Sequence, residues 1–356
     1  MNILLIGNGF DLAHGLKTRY TDFLEFVKTI QKQEEVDDQY LNECKSLIRE
    51  NTWIMYFLDT YEERVKEGKE NWIDFEKEIS EKIQSLESLY KKICLYSKQH
   101  LGSSLDSDDW HALRILLKAI SDDWKSISSI NIEQVKEIKS ILLIDLNRMT
   151  RCLEIYLSKV IEVNSIDKIG FFENHSIDKV LSFNYTNTFE RLYKNGKKIE
   201  YDYIHGKAKL DGDVNQCNLV LGIDEYLPDA EKDENVEFIQ FKKFYQRIYK
   251  RTGSSYKDWI KSICEFEENE KIKKAMQRCN MKNQLFIFGH SLDITDKDIL
   301  KELILNEYIS TIIYYHNQEA LNQLITNLIK IIGQDNLIRY TGGNHAKICF
   351  KKFKGK

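Results

Sequence analysis

Proline is almost missing from this chain: Pro228 stands alone among 356 residues. No Pro-rich or other low-complexity segment and no internal repeat is present, so linker-type and repeat architectures are excluded. The seven cysteines, Cys44, Cys94, Cys152, Cys217, Cys264, Cys279 and Cys349, stand singly. Without a CxxC pair there is no zinc spacing, and no metal is expected. The odd count, with no secretory leader ahead of it, reads as free thiols in a reducing cytoplasm. No stretch approaches the ~18 apolar residues of a membrane span. A net charge of -4 gives no electrostatic case for nucleic acid or an anionic membrane, and the basic FKKFKGK end reads as a solvated tail. Hydrophobic residues at 42% and charged residues at 30% suit a soluble globular chain with a sizeable core. Glycine is also sparse, sixteen in all, yet three of them fall in nine positions: Gly7, Gly9 and Gly15.

The periodicity changes twice along the chain. Asn2 to Ile6 is an apolar run ending in glycine, the pattern of a short buried strand. Tyr20 to about Gln31 reads as a helix, with Thr18 or Thr21 available as its cap. From 32 to 163 helical periodicity dominates, in stretches 52–70, 71–96, 110–127 and 131–163. After 164 strands alternate with helices. Ile177–Phe183, Ile199–Ile204, the NLVLGI run at 218–223, the NQLFIFGH run, the TIIYYH run, NLIRY and the HAKICFKKF run read as strands. Helical blocks lie between them, one covering 236–281. Such alternation predicts a doubly wound α/β fold with a mostly parallel sheet. The expected organisation is an α/β domain from 1–31 and 164–356, with 32–163 as a large all-helical insertion after the first strand–helix unit.

Four short words sit at strand-to-turn junctions. In GNGFDLAHGL, Gly7, Asn8, Gly9, Asp11 and Gly15 occupy the first turn. Glycines there allow close backbone approach to an anion, and a helix start supplies N–H groups. The spacing is neither GxGxxG nor a P-loop, so a structural turn and a phosphate cradle remain equal readings. In LSFNYTNTFERLY, a buried strand delivers Asn184 and Thr186 to its end; helix capping is the plainer role. In YIHGKA, His205 ends a strand before Gly206. In IFGHSLDITDKDIL, Gly289, His290 and Ser291 follow an apolar strand, and Thr295, Asp296 and Asp298 open a helix. Two lesser words are NWIDFEKEI, with Trp72 and Glu76, and LVLGIDE, with Gly222, Asp224 and Glu225. Arg339 and His345 have the spacing of certain ribonuclease effectors, but TGGN after an apolar run reads as a hairpin turn.

Taken in order, these words resemble the AbiH family of bacteriophage abortive-infection proteins. GNGFDLAHGLKTRYTDFL carries the likeness best. The first word is also similar, more distantly, to the opening motif of sirtuin-type NAD-binding domains. Gly7, Gly9 and Gly15 fall on its three glycines, with Asp11 where serine stands and His14 where a small residue stands. Asn184 and Tyr185 match a later asparagine motif, with Thr186 in the place of aspartate. His205–Gly206 is similar to the catalytic His-Gly pair. Gly289 and Ser291 match a late glycine-tyrosine-serine word, with His290 replacing tyrosine.

The resemblance implies a phage-defence protein with a sirtuin-like fold that binds NAD as substrate and breaks its nicotinamide–ribose bond. Asn184 and His205 would be catalytic. Gly7, Asn8, Gly9, Asp11, Gly15, Thr186, Gly289, Ser291 and Asp296 would line the nucleotide. The partners implied are a nucleotide and a phage-derived trigger; further copies of the chain are left open. The rivals are a nucleotide-sensing module that signals through the helical insertion without turnover, and a nuclease-type toxin.

Overall fold

Asn2–Ile6 forms strand β1, buried along its last four residues and paired in parallel on both sides. A computed structural model describes residues 1–34, 36–68, 73–99, 130–161, 163, 166–194, 196, 198–225, 227, 235–274, 283–343 and 346–353. The expected helix at 110–127, Trp72, Cys279 and His345 lie outside them.

After β1 come helices α1 (Asn8–Ala13), α2 (Tyr20–Lys32), α3 (Gln39–Ile48), α4 (Thr52–Lys66), α5 (Phe75–Gln99) and α6 (Ile132–Ile155). Helix α7 (Gly170–Asn174), strand β2 (Lys179–Ser182), helix α8 (Thr188–Tyr193) and strand β3 (Glu200–Tyr203) follow. Then come α9 (Lys243–Lys250), α10 (Ser255–Lys274), β4 (Asn283–Phe288), α11 (Lys297–Leu305) and β5 (Ile309–Tyr315). Helices α12 (Gln318–Ile332) and α13 (Gln334–Thr341) and strand β6 (Ile348–Lys352) complete the order. The six strands form one parallel sheet ordered β3-β2-β1-β4-β5-β6.

Two compact units divide the chain. One is Met1–Thr18, Ile161–Lys207 and Arg251–Lys356; the other is Arg19–Val160 and Ala208–Lys250. The first holds the whole sheet. Alternation along its strands separates two kinds of core. Ile3, Leu5, Leu181, Leu285, Ile287, Ile309 and Ile313 join an aliphatic cluster with residues of α10, α11 and α12. Phe286, Phe288 and Tyr314 take the alternate positions and meet rings instead. Phe288 lies 5.0 Å from Phe172 and 4.8 Å from Phe353, and Phe172 lies 5.1 Å from Phe10. Burying each such side chain contributes roughly 1.5–3 kcal/mol.

The second unit is helical. Trp53 donates its indole N–H to the Leu142 carbonyl at 2.8 Å, and Phe57 stacks on Phe75 at 4.0 Å. Arg151 is fully buried, bonded to Glu154 at 2.7 Å, to Glu43 at 2.9 Å and to the carbonyls of Leu210 and Gly212. A disulfide joins Cys44 on α3 to Cys152 on α6, which corrects the expectation of free thiols at those two positions.

Several local expectations also change. NLIRY is helix α13, since Gly333 at φ 82° turns the chain and only Leu337 is buried against the core. In the NLVLGI run, Leu219, Val220 and Leu221 are buried, but only Ile223 bridges, to Lys242. Asp22 rather than a threonine completes the start of α2, accepting from the Arg19 N–H at 2.9 Å. The 236–281 block is broken between α9 and α10, where Gly253 at φ 47° passes against the backbone of Ile204.

Candidate functional site

Strand register sets a row of polar residues at the carboxyl edge of the sheet. Ser182, Tyr203 and Phe288 are linked in register through Ile6. Two positions further along each strand stand Asn184, His205, His290 and Asn8. The strand ends thus deliver three buried polar side chains, Asn184, His205 and His290, to one level, at the end where parallel sheets place their ligands, while Asn8 is exposed.

Asn184 is held by its backbone. The Ser182 hydroxyl accepts from the Asn184 N–H and donates to its carbonyl, both at 3.2 Å. Its side chain is 5% exposed, and neither Oδ1 nor Nδ2 has a hydrogen-bond partner. Neither Asn184 nor Thr186 caps α8, whose N-cap is Asn187. The Thr186 hydroxyl instead donates to Asp11 Oδ2 at 2.5 Å, and the Thr188 hydroxyl donates to Thr186 at 3.1 Å. Asp11 is 1% exposed, and its Oδ1 has no hydrogen-bond partner. Burial pushes the Asp11 carboxyl up to about 6, against the lowering effect of Thr186, Thr188 and the nearby Asn184 amide. An unpaired buried polar atom costs roughly 1–3 kcal/mol; the Asn184 amide near Asp11 offsets part of that cost, and the cluster still leaves polar atoms inside the protein without full pairing.

His205 is fixed from three sides. Gly206 at φ 81° turns the chain directly after it, with its N–H on the Tyr203 carbonyl. Thr252 donates to the preceding Ile204 carbonyl at 3.0 Å, and Asp202 accepts from the Tyr256 N–H at the start of α10. The His205 ring places Nε2 3.1 Å from Asp296 Oδ1. The other Asp296 oxygen faces His290 Nε2 at 3.5 Å. Phe183 lies edge-on to both histidines, at 5.5 and 4.4 Å. Asp296, expected to touch a nucleotide, is thus engaged by two imidazoles.

The remaining first-turn residues have duties within the protein. Gly7 and Gly9 press against the turn that follows β4: a Cβ on Gly7 would lie 2.7 Å from His290 Cα, and one on Gly9 2.7 Å from Gly289 Cα. The Gly9 N–H donates to the Gly289 carbonyl at 2.8 Å. Their close approach is to protein backbone. Gly289 answers at φ 65°, with no room beside Phe10 N. Gly15, at φ 75°, faces open space. Asn8 exchanges hydrogen bonds with Thr18, accepting from its hydroxyl at 2.7 Å. His14 sits between the Phe10 carbonyl and the Tyr193 hydroxyl, both at 2.7 Å. Ser291 is exposed, and its carbonyl accepts from Asn327.

The expected residues fall in two groups, Asp11 with Thr186 and Asn184, and His205 with Asp296, while Asn8, Gly15 and Ser291 stand apart. Sequence reading noted His290 only as a replacement. Its pairing with Asp296, six positions on in the same word, is made by the turn after β4, where Gly289 and Leu292 both take positive φ. In the helical unit the two lesser words meet at residues that were not singled out. Glu76 pairs with Lys243 at 2.7 Å and Glu225 with Lys242 at 2.7 Å, both lysines being buried. Among the described residues no group of three or more His, Cys, Asp or Glu is placed to hold a metal ion.

The site is closed: Asp11, Asn184, His205, His290 and Asp296 are each at most 8% exposed. A 590 Å3 cleft at the start of β5 is lined by Cys264, Asp298 and Tyr308 among others, and a 380 Å3 cleft by Gln39, Glu43 and Asp211 among others. Neither includes a residue of this site.

Fold and site together define an α/β protein with a buried polar row at the carboxyl edge of a parallel sheet. The family model for bacteriophage abortive infection AbiH matches residues 3–315, and the chain belongs to that family. No curated protein matches the chain. Membership makes phage defence its class of function. No helix among the described residues is long and apolar enough to cross a membrane.

Proposed function

We propose that this AbiH protein acts in the cytoplasm of the infected cell by hydrolysing the nicotinamide–ribose bond of NAD at the carboxyl edge of its sheet. The observation that carries the reading is the set of under-paired buried atoms on Asn184 and Asp11, with Asn184 on the strand end next to that of a histidine held by a carboxylate. Two acceptors and one amide donor suit a sugar diol, which both donates and accepts. A phosphate would be repelled by ionised Asp11. The strand order supports the reading, since dinucleotide-binding sheets share it.

In the reaction, water adds to the ribose carbon as the carbon–nitrogen bond to nicotinamide breaks. Nicotinamide leaves neutral with the bonding pair, and the proton of water passes to His205. Asn184 and Asp11 hold the ribose while positive charge develops on it. Burial of every group keeps bulk water out, and it also requires chain to move before substrate enters.

That closure favours a second reading as well, a nucleotide sensor without turnover. Purified protein incubated with NAD, with and without phage lysate, separates the two. Release of nicotinamide supports the enzyme. Calorimetric binding of NAD or ADP-ribose without release supports the sensor, and neither binding nor release removes both.

A further inference from the structure

We infer that His290 and Asp296 are positioning residues that fix the His205 ring with its lone pair on Nδ1, the nitrogen that takes the proton. The inference deepens the proposed hydrolysis and rests on it for its catalytic meaning. Its physical content is the hydrogen placement in three side chains.

The chain of donors begins at the backbone. The Leu292 N–H donates to His290 Nδ1 at 2.9 Å. That nitrogen therefore carries a lone pair, and the ring hydrogen sits on Nε2. His290 Nε2, which carries that hydrogen, lies 3.5 Å from Asp296 Oδ2, within reach of the carboxylate's charge. Asp296 Oδ1 lies 3.1 Å from His205 Nε2. An ionised carboxylate only accepts, so His205 Nε2 is the protonated nitrogen and Nδ1 keeps the lone pair. Asp296 is itself set at the start of α11, where the helix end favours a negative charge.

The backbone is bent to make this arrangement. Gly289 at φ 65° and Leu292 at φ 56° bracket His290 within four residues. A buried leucine in the left-handed region costs on the order of 1–3 kcal/mol, and such strain gathers where geometry serves a site. Here it returns the Leu292 N–H onto the histidine two residues earlier. His290 faces Asp296 on the side away from the Asp296–His205 bond, oxygen Oδ2 against Oδ1, so it acts through Asp296.

Long-range proton–nitrogen spectra of histidine-labelled protein read the tautomers directly, without any assay of turnover. The expected wild-type result is hydrogen on Nε2 of both His205 and His290. In His290→Phe, and in Asp296→Leu where it folds, the His205 signals should lose that single tautomer. His290→Gln, which keeps a donor toward Asp296, should restore it. Nicotinamide release should fall roughly a hundredfold in His290→Phe, the scale of a small misplacement of a reacting group, and largely recover in His290→Gln. Hydrogen on Nδ1 of wild-type His205, or an unchanged His205 tautomer in His290→Phe, would overturn the inference. The expected tautomers in a protein that releases no nicotinamide would leave the relay standing and remove the hydrolysis.

Discussion

Asp11 shows most clearly what one buried residue costs. Its ordinary value of 3.8 is pushed up to about 6 because burial disfavours the charged form. Below pH 4 both folded and unfolded chains hold the proton, and the group is neutral in its pocket. As pH rises from 4 to 6 the unfolded chain releases its proton first, so stability falls across that window and levels off above it. The integrated loss is on the order of 3 kcal/mol. Asp11→Asn should remove this slope and leave the protein more stable at neutral pH. Urea midpoints at pH 4, 5, 6 and 7 for both proteins check it; parallel curves would show that Asp11 is not the titrating group. Residues of this kind were partly legible in the sequence. Asn184 stands out because a polar side chain follows an apolar run, and His205 because a strand ends at it and glycine turns the chain directly after. The Thr186–Asp11 bond joins positions 175 apart, and nothing local foretells it.

At the scale of elements, the first turn is defined by what it touches. Gly9 and Gly289 lie backbone to backbone, which locks the β1–α1 turn against the turn after β4. Gly9→Ala should destabilise by about 1–3 kcal/mol through overpacking. Gly15→Ala meets open space and should cost only about 1 kcal/mol for its positive φ. Denaturant midpoints for the two variants order them, and an equal or larger loss at Gly15 would contradict the packing account. The strands were legible wherever an apolar run was long and central, as in β1, β4 and β5. NLIRY was not, because a short apolar run fits a helix end as well as a strand. The disulfide between α3 and α6 was hidden for another reason: its cysteines are 108 residues apart, and an odd count suggests no pairing. Closing a loop of that size stabilises by about 4–5 kcal/mol in the chain-entropy picture. Reductant should therefore lower the thermal midpoint of wild type but not of Cys44→Ser, and equal shifts in both would count against the bond.

For the whole molecule, family membership sets the class of function, phage defence, and sheet topology sets which residues share the carboxyl edge. The order β3-β2-β1-β4-β5-β6 brings residues 184, 205 and 290 to one edge although they are scattered over the sequence. The alternation of strands and helices made an α/β fold legible. The order of strands was not, because pairing is a long-range choice.

The central claim is that Asn184 and His205 act together on one bond. Residues that work as a unit are not additive in their effect on rate, whereas independent structural roles add their costs in stability. The most direct measurement is nicotinamide release by purified wild type, Asn184→Ala, His205→Ala and the double variant, with plaque counts on cells carrying each. The account predicts folded proteins throughout, loss of both release and protection in each single variant, and a double variant no worse than either. Full release and full protection in either single variant would contradict it.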